Sequence, residues 1–97
     1  MVHTVVLEGQ FVLGWGVSEL RLDDGVSRFR VEWTADSGLV GKMRDVGFDP
    51  AWTPGYGAAP VRLAGTVVPS SPGQSGIFLV HRVERIGTAT VTDSPPV

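Results

Sequence analysis

Two apolar runs separated by a polar loop constrain the fold of this chain most strongly. Residues 61–68 and 76–86 both have the composition of strands, and residues 69–75 between them consist of Pro, Ser, Gly and Gln. The first third of the chain repeats this arrangement, with alternating apolar residues interrupted by turn signals. We therefore expect five strands around one small core.

The composition limits the chain to one globular domain. It has 97 residues, of which 42% are hydrophobic and 19% charged. A chain of this length can bury one hydrophobic core but is too short for two. Thirteen Gly and seven Pro favour short strands and turns over long helices. We expect a single barrel over residues 1–87 and a mobile tail over residues 88–97, which have little apolar content and end in Pro-Pro-Val.

Several function classes are disfavoured by what the sequence lacks. There is no cysteine, and His3 and His81 are the only histidines, so we expect no metal site. No P-loop, nucleophile elbow or dinucleotide fingerprint is present, so we expect neither an enzyme nor a cofactor. The first residues lack the pattern of a signal peptide, and no apolar run is long enough to span a membrane, which predicts a cytoplasmic protein.

The formal net charge of −2 gives the whole chain no attraction to nucleic acid or to an anionic membrane. Binding of either would therefore need a local basic patch. Such a patch requires several basic side chains on one face of the predicted sheet.

The first predicted strand alternates with a period of two. Val5, Leu7, Phe11 and Leu13 fall on one face, and the other face carries Val6, Glu8, Gln10 and Val12. Gly9 interrupts the pattern, which predicts a bulge or a sharp bend there.

Residues 17–33 predict a hairpin whose turn is Asp24-Gly25, a favoured pair for a type I′ turn. The register that buries the apolar residues pairs Glu19 with Arg30, Leu20 with Phe29, and Arg21 with Arg28. The predicted buried face consists of Leu20, Leu22, Phe29, Val31 and Trp33. A slip of one residue would turn the arginines into the core, so this register is strongly preferred.

Residues 36–46 are the only segment that predicts a helix. Asp36 or Ser37 is the expected cap, Gly47 the expected end, and the apolar stripe comprises Leu39, Val40, Met43 and Val46. Residues 48–60 contain three prolines and are expected to be irregular.

The order of strand, hairpin, short helix, strand, loop and strand is that of the OB-fold, a five-stranded Greek-key barrel with a helix between strands 3 and 4. Over residues 4–9, 28–33 and 61–67 the chain resembles the single-stranded-DNA-binding and primosomal OB proteins of bacteria. The resemblance implies that nucleic acid is held on the surface of strands 2 and 3 and by the loops between strands 1–2 and 4–5. The chain departs from the family in its slight acidity, in a 4–5 loop without basic or aromatic residues, and in a tail without an acidic docking end.

The residues that fit this role are arginines on the exposed hairpin face and a tryptophan next to it. Arg21, Arg28 and Arg30 would contact phosphates, and Trp15 would stack on bases. Arg62 and Arg82, with Arg85, would add positive charge from strands 4 and 5. In the alternative interpretation, Arg30 pairs with Glu19, Trp15 packs over a barrel end, and Glu84 pairs with the arginines beside it.

A second class of function, ranked after nucleic-acid binding, is assembly with protein chains. Phe48, Trp52 and Tyr56 form either a stacking surface or, as we expect more, a cover folded back over the barrel. With the Val6 and Val12 face of strand 1, they predict a protein-interaction or assembly module that forms homo-oligomers or binds a partner protein. A carbohydrate binder with Trp15 or Trp52 as its platform ranks lower, because few polar side chains converge.

Overall fold

A computed structural model describes residues 3–69 and 76–94 of the chain. Most of the loop predicted at residues 69–75 and the last three residues of the predicted tail lie outside this range. The elements, in chain order, are β1 (Val5–Gly14), β2 (Val17–Leu22), β3 (Arg28–Trp33), a 3-10 helix (Ala35–Ser37), α1 (Leu39–Asp45), β4 (Tyr56–Val68), β5 (Ile77–Ile86) and β6 (Thr90–Thr92). None of the helices in the described ranges is long and apolar enough to cross a membrane.

Five of the strands form a closed ring. Their order is β1-β2-β3-β5-β4, and β4 pairs back with β1 to close it. Every pairing in the ring is antiparallel except that of β3 with β5, which is parallel. This is the strand order of an OB-type barrel with its short helix between β3 and β4, so the predicted fold class is confirmed.

The core fills the inside of the ring and one of its ends. The largest fully buried side chains are Phe11, Phe48, Phe78, Leu20, Leu39, Met43, Leu63, Val12 and Val80. The ring of Phe11 meets the ring of Trp33 edge to face at 6.4 Å, a favourable arrangement for two aromatic side chains. Helix α1 adds Leu39 and Met43 to the core, as its apolar stripe predicted.

The hairpin of β2 and β3 has the predicted register. Glu19 lies opposite Arg30 and Arg21 opposite Arg28. The residues that belong to the core or pack against it are the predicted ones, Leu20, Leu22, Phe29, Val31 and Trp33. The predicted type I′ turn is wrong, because Gly25 has the only positive φ in the turn, at 78°. The carboxylate of Asp24 instead accepts the amides of Val26 and Ser27 at 2.8 and 2.7 Å, which organises a longer loop.

The helical segment starts later than predicted. Residues 35–37 form the 3-10 helix, and α1 begins only at Leu39, because Gly38 between them has a φ of 71°. The hydroxyl of Ser37 accepts the amide of Leu39 at 3.3 Å, so Ser37 does contact the first turn as a cap would. A residue in the left-handed conformation cannot continue a right-handed helix, so Gly38 separates the 3-10 helix from α1.

The segment predicted as a mobile tail contributes a strand to the sheet. Residues 90–92 form β6, which pairs antiparallel with residues 56–58 at the start of β4. Two further hydrogen bonds hold the approach to β6: the amide of Gly87 donates to Pro60 O at 2.8 Å, and the amide of Ala89 to Val46 O at 3.0 Å. Ala89 also packs on the core.

Strand β1 differs from its predicted two-faced pattern at Val12, which was expected to be exposed but is only 1% exposed. Val12 lies between β2 and β4, opposite Glu19 on one side and Ala58 on the other. Val6 lies beyond the last residue pair of β1 with β2, so it has a neighbouring strand on one side only and remains exposed. The exposed apolar face of β1 is therefore restricted to its first residues.

Gly9 produces no bulge, because β1 keeps a continuous register through it with both β2 and β4. Its role is close approach: a Cβ at this position would lie 2.1 Å from the carbonyl oxygen of Arg21. A side chain there would force β2 away from β1, the strand that also closes the ring.

We therefore expect Gly9→Ala to lower the free energy of unfolding by about 1–3 kcal/mol, as measured by urea denaturation, because it overpacks a closed sheet. Gly41→Ala is the matched control. Gly41 lies in α1, where the nearest atom to an added Cβ is 4.0 Å away, so the same change is expected to stabilise. Equal effects of the two substitutions would contradict this account of Gly9.

Candidate nucleic-acid interface

An open groove runs along β3, where β2 and β3 diverge. Their pairing extends only from Arg21–Arg28 to Glu19–Arg30, and beyond it the hydroxyl of Ser18 donates to Val31 O at 2.8 Å. The groove has a volume of about 1040 Å³ and is lined by Leu13, Gly14, residues 16–19 and the whole of β3, residues 28–33. We call it the arginine groove, because Arg28 and Arg30 line it.

The charges of this face are unevenly paired. The Glu19 carboxylate accepts Nε of Arg21 at 2.6 Å and lies 3.7 Å from Nη1 of Arg28. Arg30, although directly opposite Glu19, makes no ion pair with any residue in the described ranges, so the predicted Arg30–Glu19 pair is not formed. With Glu32 included, this face carries three guanidinium groups and two carboxylates, which leaves a small positive excess at an exposed Arg30.

Trp15 is 77% exposed in the short connection between β1 and β2. The alternative prediction, that it packs over a barrel end, does not describe a side chain this exposed. It lines a second groove of about 510 Å³ together with Trp52, which is 85% exposed. We call this second site the tryptophan groove; Gly14 lines both grooves, so they are adjacent.

The three aromatic residues from the end of α1 to the first residue of β4 differ in exposure: one is buried, one half-buried and one exposed. Phe48 is 1% exposed and part of the core, and Tyr56 is half-buried, so both follow the prediction that they cover the barrel. Trp52 does not, and the prediction was wrong for it. The sequence did contain a signal for the exposure of Trp52: Asp49-Pro50 followed by Thr53 is a set of turn-forming residues, and a turn keeps its backbone at the surface.

The pairing of β1 with β4 explains why two tryptophans from distant segments share one groove. Gly14, the residue before Trp15, lies opposite Tyr56, the first residue of β4. The β1–β2 connection and the loop that precedes β4 therefore meet at the same end of the ring. The sequence separation of the two tryptophans hides this proximity, because only the long-range register reveals it.

Arg62 and Arg82 belong to another wall of the ring, formed by β4 with its neighbours β1 and β5. Arg62 contacts Glu8 at 2.9 Å and Glu84 at 3.0 Å, and Arg82 contacts Glu84 at 2.6 Å. Arg85 adds a contact of 3.0 Å to Glu8. These five side chains form an exposed ionic network, in which each arginine has a carboxylate within ion-pair distance.

The network shifts the titration of its members in the directions that ion pairs require. Hydrogen bonds from Arg82 and Arg62 lower the pKa of Glu84, and hydrogen bonds to Glu8 and Glu84 raise the pKa of Arg62. The predicted pairing of Glu84 with Arg82 is confirmed, but its pairing with Arg85 is wrong, because Arg85 contacts Glu8. Sequence reasoning missed Glu8, which the β1–β4 register places opposite Arg62.

The part of the chain that the structure describes contains no group of side chains typical of a metal centre. His81 Nε2 lies 3.0 Å from the hydroxyl of Thr66, and no three His, Cys, Asp or Glu side chains converge within residues 3–69 and 76–94. Buried side-chain nitrogen and oxygen atoms in these ranges all have hydrogen-bond partners. The features that distinguish this surface are therefore the two grooves.

Because the pKa of Glu84 is lowered in the folded chain, we expect the free energy of unfolding to depend on pH in the acid range. In the unfolded chain this carboxyl binds a proton near its ordinary pKa of about 4.3, whereas in the folded chain it does so at a lower pH. Its contribution is thus present at neutral pH and lost as the pH falls through the folded pKa. We expect Glu84→Gln to be less stable than the parent chain at pH 7, in urea denaturation, and this difference to shrink below about pH 4.3.

The control for this prediction is the same denaturation series at about 1 M NaCl, where a Debye length of roughly 3 Å screens exposed charges. The difference between the two chains at pH 7 is expected to decrease in salt. A difference that is independent of both pH and salt would show that Glu84 acts through packing and not through its charge.

Comparison of the chain with protein-family models, with curated proteins and with solved structures gives no match. The proposal for function therefore depends on the residues themselves. Arg28 and Arg30 line the arginine groove, Trp15 lines the adjacent tryptophan groove, and Arg21 lines neither but contacts Glu19. Arg62 and Arg82 lie in the ionic network on the β1–β4–β5 wall.

Proposed function

We propose that this protein is a non-catalytic module that binds single-stranded nucleic acid along the surface of β2 and β3. The observation that carries the proposal is the arginine groove, which is open, lined by Arg28 and Arg30, and adjacent to the exposed ring of Trp15. A cationic groove beside an exposed aromatic ring is the usual construction of a sequence-tolerant single-strand site. The OB-type strand order supports the proposal, because barrels of this type use the face of their second and third strands to bind oligonucleotides.

The charge of the groove sets the character of the binding. Arg30 has no carboxylate partner in the described ranges, and Arg28 is 3.7 Å from a Glu19 carboxylate that already accepts a closer bond from Arg21. These two guanidinium groups are the ones available to phosphates. Two phosphate contacts on a single strand correspond to a slope of log K against log salt of about −1.4, so we expect weak, salt-sensitive binding.

Arg62 and Arg82 have a lesser part in this proposal. Each is within 3.0 Å of Glu84, and Arg62 also contacts Glu8, so a phosphate would have to replace an existing ion pair. Their wall of the ring is also a different one from that of β2 and β3. We assign the principal contacts to Arg28 and Arg30, with Trp15 as the base platform and Arg21 as the residue that holds Glu19.

The test is a charge reversal in the groove with a matched reversal outside it. We expect Arg28→Glu to weaken binding of a fluorescently labelled (dT)12, followed by anisotropy at low salt, and to flatten its salt dependence because fewer counterions are released. Arg85→Glu, in the ionic network, makes the same change in net charge and is expected to keep most of the affinity.

Binding of the parent chain that Arg28→Glu leaves unchanged would remove this groove as the site. Equal losses in the two variants would show that only the overall charge of the protein matters. The same titrations with (rU)12 compare RNA with DNA at the same groove.

A second candidate function, an assembly module, is favoured by a separate patch of valines. Val5, Val6, Val67 and Val68 are each between 36% and 40% exposed. Val5 lies opposite Gly65, so the last residues of β4 extend past the same end of the β1–β4 pair. Exposed apolar residues gathered at one end of a strand pair are suited to contact with a second protein chain.

For this candidate, we expect the parent chain to self-associate in sedimentation velocity at high protein concentration and Val6→Glu to reduce that association, because a carboxylate would be buried in the contact. Val91→Glu is the control, since Val91 is 42% exposed in β6, which pairs with residues 56–58 at the opposite end of β4 from the patch. A parent chain that remains monomeric at high concentration would exclude self-assembly.

A further inference from the structure

The tryptophan groove has a composition that narrows the chemistry of its ligand. Trp15 and Trp52 supply its two most exposed aromatic rings, and the remaining lining consists of Gly, Pro, Ala, Phe and Thr. No charged side chain lines it. A free phosphate or a carboxylate would find no cation there, so the groove is suited to a neutral group with a flat face.

Trp52 is held at the surface by a turn with its own hydrogen bonds. Its amide and that of Thr53 both donate to the carbonyl oxygen of Asp49, at 3.1 and 2.7 Å. The Asp49 carboxylate accepts the amide of Ala51 at 2.9 Å, and the Asp49 amide donates to the Thr53 hydroxyl at 3.1 Å. The preceding Phe48 anchors this turn in the core.

An exposed tryptophan on a hydrogen-bonded turn contributes little to the stability of the fold, because its indole ring is not packed against other side chains. An indole buries about 150–250 Å² when it packs, and this side chain forgoes that stabilisation although an apolar core begins four residues earlier at Phe48. The fixed backbone also lowers the ordering cost of a ligand that stacks on the ring. Both features favour a binding role for Trp52.

Carbohydrates are the main competing class of ligand with a flat apolar face. Their hydroxyl groups need several polar partners, whereas this groove has a single hydroxyl side chain, that of Thr53, one of whose acceptor positions is taken by the Asp49 amide. A nucleobase needs fewer polar partners, because it binds by stacking its π-face on an aromatic ring, and every base has such a face. The groove is therefore better matched to nucleobases.

We infer that the tryptophan groove is a stacking site for bases of the same strand whose phosphates contact Arg28 and Arg30, an inference that rests on the proposed function. The strand crosses from the arginine groove to the tryptophan groove at Gly14, which lines both and has no side chain in the way. Trp15 stacks on a base at the junction, and Trp52 stacks on a base farther along. The site then extends beyond the β2–β3 surface to the turn before β4.

The experiment compares a long and a short strand on variants of each tryptophan. We expect Trp52→Ala to weaken binding of (dT)12 by about 5- to 150-fold, the range given by a stacking contribution of 1–3 kcal/mol per base. Binding of (dT)4 is expected to change little, because so short a strand is held at Arg28, Arg30 and Trp15. Trp15→Ala, in contrast, should weaken both, and Trp52→Phe should retain most of the affinity for (dT)12.

The control is Val26→Ala, which truncates another highly exposed apolar residue outside both grooves and is expected to bind both strands like the parent chain. Thermal unfolding of each variant checks that the fold is intact. If the parent chain binds (dT)12 and Trp52→Ala matches Val26→Ala, the inference is overturned and the proposed function stands. If the parent chain binds neither strand, both are overturned. Quenching of tryptophan fluorescence by cellohexaose but not by (dT)12 would assign the groove to sugars instead.

Discussion

The pairing of β1 with β4 is the constraint on which the rest of this structure depends. It runs along the whole of β1, from Val5 opposite Gly65 to Gly14 opposite Tyr56, and it closes the ring. Its register places Glu8 beside Arg62 on one wall. At its other end it brings the connection that carries Trp15 next to the turn that carries Trp52. A closed ring has few exposed edges, so these surface features are held on a stable frame.

Within that frame, the two proposed contacts with nucleic acid have different physical origins. The arginine groove exists because β2 and β3 stop pairing after Glu19 and Arg30, which exposes β3 beside the divergence. The tryptophan groove exists because hydrogen bonds to Asp49 keep the backbone of Trp52 away from the core. One groove offers cations and the other offers aromatic faces, and a single strand of nucleic acid presents phosphates and bases to match them.

Local patterns predicted much of this architecture. The alternation around Asp24-Gly25 predicted the register of Arg21 with Arg28, because a slip would have buried charge. The spacing of Leu39 and Met43 predicted the helix, although not the break that Gly38 introduces. Strand β6 was missed, since residues 90–92 carry no strong apolar pattern and are ordered by pairing with β4. Val12 was also misjudged: it is buried, whereas Gln10 on the same face of β1 is exposed, and the alternation of apolar residues does not distinguish the two positions.

By itself, the sequence determined the number of ring strands, their succession along the chain, the hairpin register and the absence of thiol chemistry, because each depends on neighbouring residues or on composition. Only the tertiary structure decided which charges are paired and which aromatic rings are exposed. Arg62 is paired because Glu8 lies opposite it on the neighbouring strand β1. Arg30 makes no ion pair with a carboxylate in the described ranges, because Glu19 contacts Arg21 and Arg28 instead. Such outcomes depend on contacts between residues far apart in the chain, and no local pattern encodes them.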